Sequence, residues 1–281
     1  MADINEQKQR LAAVIGWPVS HSLSPLIHMT WAMREGTDAR YNAIAVEPDD
    51  TLFRKRINNL RAEGYAGVNV TIPHKERALN FADVTSDAAR AIGAANMLTL
   101  GEVIFAENSD ATAITDIVGS INMKPRHALV LGAGGAARAA LWALKEQGVA
   151  RISISNRTVS RAEEIAPIAS ANIIDWSERN KALEGADLVI NTTSLGMKGQ
   201  PPLDLDYDGM KDGAVVFDIV YAPLVTPLLK AARARGLETV DGLEMLMRQA
   251  VPAYLAWLGT KANVDADLRA RLTAALKERD A

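Results

Sequence analysis

Apolar runs of strand length alternate with amphipathic stretches of helix length along almost the whole chain. This rhythm predicts an α/β architecture with largely parallel sheets, because parallel strands are joined by crossovers that are usually helices. Strands are predicted in the first part of the chain at residues 11–17, 40–46, 67–72 and 95–100. Helices are predicted after Ser24, Pro48 and Pro73 and around residues 86–92.

The rhythm restarts in the middle of the chain. A predicted strand at 127–131 leads directly into a glycine-rich segment with a helical apolar period, and a second strand is predicted at 151–155. Further strands are predicted at 187–191, 215–220 and 238–240, and the chain from Leu243 onward is predicted to be helical. The restart places a domain boundary near residues 110–125. The length agrees with two domains, since about 100–200 residues usually form one.

The composition excludes several classes of protein and selects none. The 281 residues include no cysteine, so neither a disulfide framework nor a cysteine-ligated metal site is possible. Lys and Arg number 31 against 34 Asp and Glu, a balance that gives no general attraction to nucleic acid or to an anionic membrane. Residues 1–11, MADINEQKQRL, lack the apolar stretch of a secretory signal, so we expect a soluble protein of the cytoplasm.

A glycine-rich turn between a predicted strand and a predicted helix carries the first chemical signal. Residues 132–137, GAGGAA, fit the pattern G-x-G-x-x-A. In that pattern the first glycine permits a tight turn, the second lets the backbone approach a pyrophosphate, and the small last residue permits close helix–strand packing. Small residues at such a turn can also serve packing alone. The strand–turn–helix context favours a dinucleotide site at the helix N-terminus.

The end of the next predicted strand indicates which dinucleotide is bound. An NAD site usually has Asp or Glu there, to bind the ribose 2′-hydroxyl. This chain instead has Asn156, Arg157 and Thr158, with Arg161 one helical turn beyond. Two guanidinium groups suit a 2′-phosphate, although the same residues could simply form a solvated basic helix start. The sequence therefore favours NADP over NAD.

Polar groups also follow the predicted strands of the first domain, where open α/β sheets place their ligands. They are the segments HSLSP (21–25), NVTIPHK (69–75) and NSD (108–110), together with Asn96. Each has an ordinary structural explanation, because Ser24 or an Asp before a helix can be a cap and a lysine on a turn is usually solvated. Beside a nicotinamide site, a lysine ammonium paired with an aspartate could exchange a proton with a carbonyl or hydroxyl oxygen.

The chain resembles the shikimate dehydrogenase family over nearly its full length. The resemblance rests on nine segments in the family's order: AVIGWPVSHSLSPLIH, GVNVTIPHKE, GAANML, ENSD, VLGAGGAARAA, SNRT, DLVINTTSLGM, FDIVYAPLVTPLL and DGLEMLMRQA. It implies reduction of 3-dehydroshikimate to shikimate with NADPH, on the pathway to the aromatic amino acids. It also implies that the C-terminal helices return to the first domain. The expected domains are 1–111 plus 244–281 for substrate and 112–243, of Rossmann type, for NADP, with the active site in the cleft between them.

The resemblance also implies roles for individual residues. Lys75 and Asp110 match the catalytic acid–base pair. Substrate contacts are implied for Ser22 and Ser24, which match binders of the substrate carboxylate, and for Thr71, Asn96, Tyr221 and Gln249. NADP contacts are implied for Gly132, Gly134, Gly135, Ala136, Asn156, Arg157, Thr158 and Arg161, and nicotinamide-side contacts for Thr193, Ser194, Gly242 and Met245.

Three departures from the family's pattern leave alternatives open. Met29 stands where the family commonly has Asn, NSDATA (108–113) replaces NTDGxG, and Glu244 and Arg248 interrupt a GLGMLVxQ-like segment. These changes suit a paralogue for quinate or an aminoshikimate as well as the biosynthetic enzyme. A non-catalytic sensor of the ligand is the alternative from another class, disfavoured because both Lys75 and Asp110 are retained. We expect a small-molecule substrate, no nucleic-acid or membrane partner, no metal, and a monomer or homodimer.

Overall fold

The structure, a computed structural model, describes residues 9–280 and divides into two compact units. Unit 1 contains the described residues up to Ser109 and those from Gln249 onward, and unit 2 is Asp110–Arg248. Most of the polar N-terminal segment, residues 1–8, lies outside the described residues. No helix within residues 9–280 has the length and apolar character needed to cross a membrane. The domain boundaries at 111/112 and 243/244 stay predictions from the sequence.

Strands and helices alternate along the chain. Up to residue 107 they are β1 (Arg10–Gly16), α1 (Ser24–Glu35), β2 (Ala39–Ala45), α2 (Asp50–Ala62), β3 (Tyr65–Val70), α3 (Lys75–Phe81), β4 (Val84–Thr85), α4 (Asp87–Ile92), β5 (Met97–Leu100) and β6 (Ile104–Glu107). From residue 109 they are α5 (Ser109–Ser120), β7 (His127–Leu131), α6 (Gly135–Glu146), β8 (Arg151–Ser155), α7 (Val159–Ile165), β9 (Asn172–Ile174), β10 (Leu188–Asn191), β11 (Val215–Asp218), α8 (Pro227–Ala234), β12 (Glu238–Val240), α9 (Gly242–Trp257) and α10 (Ala266–Asp280).

Unit 1 contains a six-stranded sheet in the order β2-β1-β3-β5-β6-β4. The pairs of β1 with β2 and β3 are parallel, whereas β5 pairs antiparallel with both β3 and β6. The sequence rhythm did not predict β4 or β6, or the antiparallel pairing. The reason is local: only residues 101–103 join β5 to β6, and so short a connection permits a hairpin but no parallel crossover. Phe53, Ile57 and Leu60 of α2 are fully buried in the core of this unit.

One glycine lets the end of α9 pack closely on this sheet. A Cβ built at Gly67 of β3 would lie 2.0 Å from the Trp257 ring, so no larger residue fits without displacing the indole. The Trp257 Nε1–H donates to the Thr99 hydroxyl at 2.9 Å, which satisfies the one polar atom of the buried ring. The C-terminal half of α9 is thereby fixed to the strands of unit 1.

Unit 2 is a parallel six-stranded sheet in the order β12-β11-β10-β7-β8-β9. Its central strands β7 and β10 are buried throughout and mostly apolar, as expected where helices cover both faces. The chain leaves β7 toward β8 and β9 and then returns to β10 on the other side. Such a reversal opens a crevice at the carboxyl ends of β7 and β10. The predicted α/β fold with a Rossmann-type unit is confirmed.

Candidate active site

The glycine-rich turn joins β7 to α6 as predicted. Gly132 has a φ of +108°, and a Cβ there would lie 2.6 Å from the Thr192 hydroxyl oxygen, so the position requires glycine. Its N–H donates to the Ser155 carbonyl at 2.9 Å, which ties the turn to the end of β8. A Cβ at Gly134 would meet no atom within 4 Å. The space beside Gly134, at the N-terminus of a twelve-residue helix, is open to an anionic ligand.

A pocket of about 300 Å³ opens at this edge of the unit 2 sheet. We call it the glycine-loop pocket. It is lined by Gly132, Ala133, Gly134, Asn156, Arg157, Arg161, Trp176, Thr192, Thr193, Ser194 and Leu195. Seven of the predicted cofactor residues are therefore brought together, from the ends of β7, β8 and β10. The other five do not line the pocket: Gly135, Ala136, Thr158, Gly242 and Met245.

Gly242 and Met245 are buried at the start of α9. A Cβ at Gly242 would lie 2.1 Å from the Ile219 carbonyl oxygen, so this glycine is needed for close packing of the helix N-terminus. Their predicted place on the nicotinamide side stays a prediction.

The wall that follows β8 is basic. Arg157 and Arg161 are exposed, and neither forms an ion pair with any of the described residues. Asn156 donates from Nδ2 to the Thr158 carbonyl at 2.8 Å and so shapes the turn that carries Arg157. Among the described residues that line the pocket, none is acidic. Two guanidinium groups without a carboxylate suit a phosphate and would leave a bare ribose hydroxyl without its usual acceptor.

Four lining residues were not predicted from the sequence: Ala133, Trp176, Thr192 and Leu195. Ala133 lies inside the glycine motif, and Thr192 and Leu195 flank the predicted residues Thr193 and Ser194. The predicted residues beside them were therefore the signal that could have identified these three. The Thr192 hydroxyl donates to the Leu131 carbonyl at 2.7 Å and so links the carboxyl ends of β7 and β10. Trp176 follows β9, a short strand that the hydrophobic pattern did not show.

A buried polar network holds the β10 side of the pocket. Asn191 accepts hydrogen bonds at Oδ1 from the Thr193 N–H at 3.0 Å and from its hydroxyl at 2.7 Å. The Asn191 Nδ2 donates to Asp218 at 2.9 Å. Asp218 is fully buried and also accepts from the Thr226 hydroxyl at 2.6 Å. Burial raises the pKa of the Asp218 carboxyl. Thr193 is therefore held in place from behind, through Asn191.

In unit 1, the predicted carboxylate binders lie in the turn between β1 and α1. The Ser22 hydroxyl oxygen accepts from the Ser24 N–H at 3.2 Å, which leaves the Ser22 proton to donate elsewhere. The N-cap position of α1 falls on Leu23, whose side chain forms no capping hydrogen bond. The capping explanation for Ser24 is therefore wrong, and Ser24 is instead the first helical residue, 7% exposed.

A second buried network orients Asn96. Tyr41 donates to Oδ1 of Asn69 at 2.7 Å, and Asn69 donates from Nδ2 to the Asn96 carbonyl at 3.2 Å. The Asn96 side chain accepts at Oδ1 from the Ser109 N–H at 2.7 Å. This bond fixes the orientation of the Asn96 side-chain amide. Its Nδ2 group therefore points away from Ser109 and can donate to another group. The Ser109 hydroxyl also donates to Gln249 at 3.5 Å, which brings two predicted substrate residues to one place.

Lys75 follows a constrained turn. The Thr71 N–H donates to Ile15 at 2.9 Å, the Ile72–Pro73 peptide is cis, and the His74 N–H donates back to Thr71 at 3.0 Å. The His74 ring is fully buried, with Nε2 2.7 Å from the Val46 carbonyl oxygen. Lys75 is then the first residue of α3 and is half-buried. Its ammonium is carried on a well-anchored turn.

The remaining predicted residues belong to unit 2. Asp110 is 9% exposed and lies in the first turn of α5, where the helix dipole favours a negative charge. Tyr221 is half-buried and directly precedes a cis peptide, Ala222–Pro223. The roles of Asp110 and Tyr221 stay predictions.

Two histidines of unit 1, His28 and His74, lie in its core. The His28 ring is fully buried and stacks on Tyr41, with centroids 4.0 Å apart and planes within 5°. Burial lowers the pKa of His28 to about 3, so the ring is neutral. Within the described residues, no three histidine, aspartate or glutamate side chains are grouped to hold a metal ion.

Comparisons with known proteins match both units. The family model described as "Shikimate dehydrogenase substrate binding domain" matches residues 14–98, and "Shikimate / quinate 5-dehydrogenase" matches residues 112–244. A relative from Rhodopseudomonas palustris strain TIE-1, named "Shikimate dehydrogenase (NADP(+))", is 45% identical over 277 residues, which cover 95% of this chain and 98% of the relative.

Solved structures agree with this match. The shikimate 5-dehydrogenase of Thermus thermophilus, in complex with NADP(H) and shikimate, is 32% identical, with a TM-score of 0.82 over 96% of this chain and 99% of that one. The quinate dehydrogenase of Corynebacterium glutamicum, in complex with NAD, is 27% identical, with a TM-score of 0.87 over 95% of this chain and 99% of that one.

Proposed function

The chain belongs to the shikimate dehydrogenase family, and we propose that it interconverts 3-dehydroshikimate and shikimate with NADP(H). It is an oxidoreductase that acts on a CH–OH group. The observation that carries the choice of NADP is the glycine-loop pocket, which has Arg157 and Arg161 on one wall and no acidic lining residue among those described. The choice of shikimate rests on the relatives, which cover nearly the whole chain.

The residues of unit 2 fit the cofactor. The open backbone at Gly134 and the N-terminus of α6 suit the pyrophosphate, and the two arginines suit the 2′-phosphate. Thr193 and Ser194 line the β10 side, where the resemblance places the nicotinamide. When bound, NADPH supplies the hydride for C3 of the substrate ring.

The residues of unit 1 fit the substrate. Ser22 and Ser24 are assigned to the substrate carboxylate, since both carry hydroxyl donors in one turn. Thr71 and Asn96 are assigned to the ring hydroxyls, with Asn96 donating from Nδ2 because its Oδ1 is occupied by Ser109. Gln249 is assigned to the closing of the substrate pocket, and the resemblance assigns the same role to Tyr221 of unit 2. An oriented donor discriminates between hydroxyl patterns, because a mismatched substrate leaves it unpaired.

Lys75 and Asp110 are assigned to proton transfer. As C3 of 3-dehydroshikimate accepts the hydride, its carbonyl oxygen gains negative charge, and the Lys75 ammonium gives that oxygen a proton. The product carries a C3–H bond and a hydroxyl, and the neutral amine then regains a proton from water. The resemblance assigns Asp110 to orienting the ammonium and the substrate hydroxyl. The same groups work in reverse when shikimate is oxidised.

One solved relative favours a second candidate substrate. The Corynebacterium glutamicum structure is a quinate dehydrogenase with NAD, and this chain departs from the family's pattern at Met29 and beside Asp110. The basic wall of the pocket favours the NADP-dependent activity instead. From the sequence we also propose a cytoplasmic location and a monomer or homodimer as the assembled state.

The direct test of the reaction is product analysis. We expect 3-dehydroshikimate and NADPH, incubated with the protein, to yield one shikimate for each NADPH consumed, identified by NMR. Consumption of neither compound would overturn the proposal and would support the sensor alternative.

A further inference from the structure

Trp176 is the one aromatic residue among the described residues that line the glycine-loop pocket. It opens a short 3-10 turn, residues 176–178, that follows β9 at the edge of the sheet. The residue is half-buried and packs against the hydrophobic core of unit 2, and it also lines the pocket. No family segment identified in the sequence includes this residue.

The ring is held firmly in this position. The Arg179 guanidinium lies over the indole, 4.9 Å from its centroid, and its Nη1 donates to the Trp176 carbonyl at 2.9 Å. Asp175 caps the turn, since its Oδ1 accepts from the Ser177 N–H at 2.8 Å. The ring is therefore preorganised, and a ligand that contacts it loses little binding free energy to the ordering of the Trp176 side chain.

The position of Trp176 beside the arginine wall indicates what it contacts. Arg157 and Arg161 follow β8, and Trp176 follows β9, which pairs directly with β8. In NADP the 2′-phosphate and the adenine base are attached to adjacent carbons of one ribose. A ligand whose 2′-phosphate contacts the arginines must therefore place its base within the width of one sugar. The other lining residues are glycine, alanine, threonine, serine, leucine, asparagine and arginine, and none of these offers an aromatic face.

We propose that the Trp176 indole is the binding surface for the adenine base of NADP(H). This inference rests on the proposed use of NADP and adds the residue that recognises the base. Stacking of a base on an aromatic ring is tolerant of its exact orientation and contributes binding energy without hydrogen bonds. The 2′-phosphate contact then supplies selectivity, and the indole supplies affinity for the adenosine half as a whole.

The test is calorimetric titration of the full chain with adenosine 2′,5′-bisphosphate, which contains the base and the 2′-phosphate but no nicotinamide. We expect Trp176→Leu to weaken binding about tenfold and Trp176→Phe to recover most of the loss. Trp142→Leu is the matched control, because Trp142 is also a half-buried tryptophan of unit 2 with a cation over its ring, Lys145 at 5.9 Å, and does not line the pocket. The control is expected to bind like the wild type.

Tryptophan emission gives a second readout. Bound ligand should quench emission in the wild type and in Trp142→Leu but leave the emission of Trp176→Phe unchanged. Equal affinity of Trp176→Leu and the wild type would overturn the inference. If Trp176→Leu does not fold, quenching of Trp176→Phe to the wild-type extent would overturn it instead. Failure of the wild type to bind the bisphosphate, with binding of 5′-AMP intact, would overturn the assignment of NADP itself.

Discussion

Asn191 donates from Nδ2 to Asp218 at 2.9 Å, and this bond turns its Oδ1 toward Thr193. The ends of β10 and β11 are thereby joined through two buried side chains to a residue that lines the glycine-loop pocket. Asp218 does not itself line the pocket and is linked to Thr193 through Asn191. Substitution of Asp218 can therefore show whether this network positions the pocket wall in addition to stabilising the fold.

Replacement of Asp218 by alanine is expected to weaken NADP binding as well as the fold. The change leaves the buried Nδ2 of Asn191 without its acceptor, at a cost of about 1–3 kcal/mol, and frees the amide that orients Thr193. Thr226→Val is the matched control, since it removes the second side-chain hydrogen bond to Asp218 and spares the bond from Asn191. Both variants should lower the free energy of unfolding in urea, but only Asp218→Ala should raise the Kd of NADP. An equal rise in both would contradict the positioning role of Asp218.

Removal of the Arg157 guanidinium is expected to reduce the preference for NADP. A charge-assisted hydrogen bond contributes about 1.5–3 kcal/mol, so Arg157→Ala should lower kcat/KM for NADP⁺ by at least about tenfold. The value for NAD⁺ should change little, because NAD has no 2′-phosphate. Arg151→Ala, at an exposed arginine that begins β8, is the control and should alter neither value. A parallel loss with both cofactors would rule out the phosphate contact.

Lys75→Ala is expected to slow the chemical step more than it weakens substrate binding. Loss of a positioned general acid usually costs about 10²–10⁴ in rate, whereas KM for shikimate should change by less than about fivefold. Steady-state rates with saturating NADP⁺ measure both constants. Lys55→Ala, at an exposed lysine of α2, controls for the loss of a charge. An unchanged kcat in the Lys75 variant would remove Lys75 from the proposed mechanism.

His28 predicts a pH dependence of stability. Its pKa is lowered by burial to about 3, against 6.5 when solvated, so the unfolded chain binds more protons than the folded chain between these values. The contribution of the neutral His28 ring to the free energy of unfolding is complete above pH 6.5 and is lost as the pH falls toward 3. At pH 5 the loss amounts to about 2 kcal/mol.

Urea unfolding of the wild type and of His28→Leu at about pH 7.5 and about pH 5 measures this contribution. The variant is expected to lose about 2 kcal/mol less than the wild type between the two pH values. His21→Leu, at an exposed histidine of the same unit, should retain the wild-type difference. The assignment to His28 fails if His28→Leu and the wild type show the same change.

Local chemistry explains why one part of the site could be predicted from the sequence. The strands at 127–131 and 151–155 were predicted with the bounds that the structure shows. The first is largely apolar, the second has isoleucine at alternate positions, and both end at turn residues. The glycine turn and Arg157 follow those strands directly, so strand ends and motif spacing were sufficient to place them in one pocket.

The rest of the site depends on contacts between distant parts of the chain. Tyr41, Asn69 and Asn96 lie on separate segments and form one network only after β2, β1, β3 and β5 have paired. Trp176 follows β9, whose three residues show no alternation of buried and exposed positions. The sequence marks Asn69 and Asn96 as polar groups near strand ends but not the bonds that join them. Neither a period nor a spacing marks Tyr41 or Trp176, because tertiary packing alone brings them to the site.

The measurement that tests the central claim most directly is kcat/KM for shikimate and for quinate, each with NADP⁺ and with NAD⁺. We predict that shikimate with NADP⁺ has the highest value of the four, because the arginine wall suits a 2′-phosphate and relatives that match nearly the whole chain are named shikimate dehydrogenases (NADP(+)). A highest value for quinate, or for either substrate with NAD⁺, would contradict the proposed function.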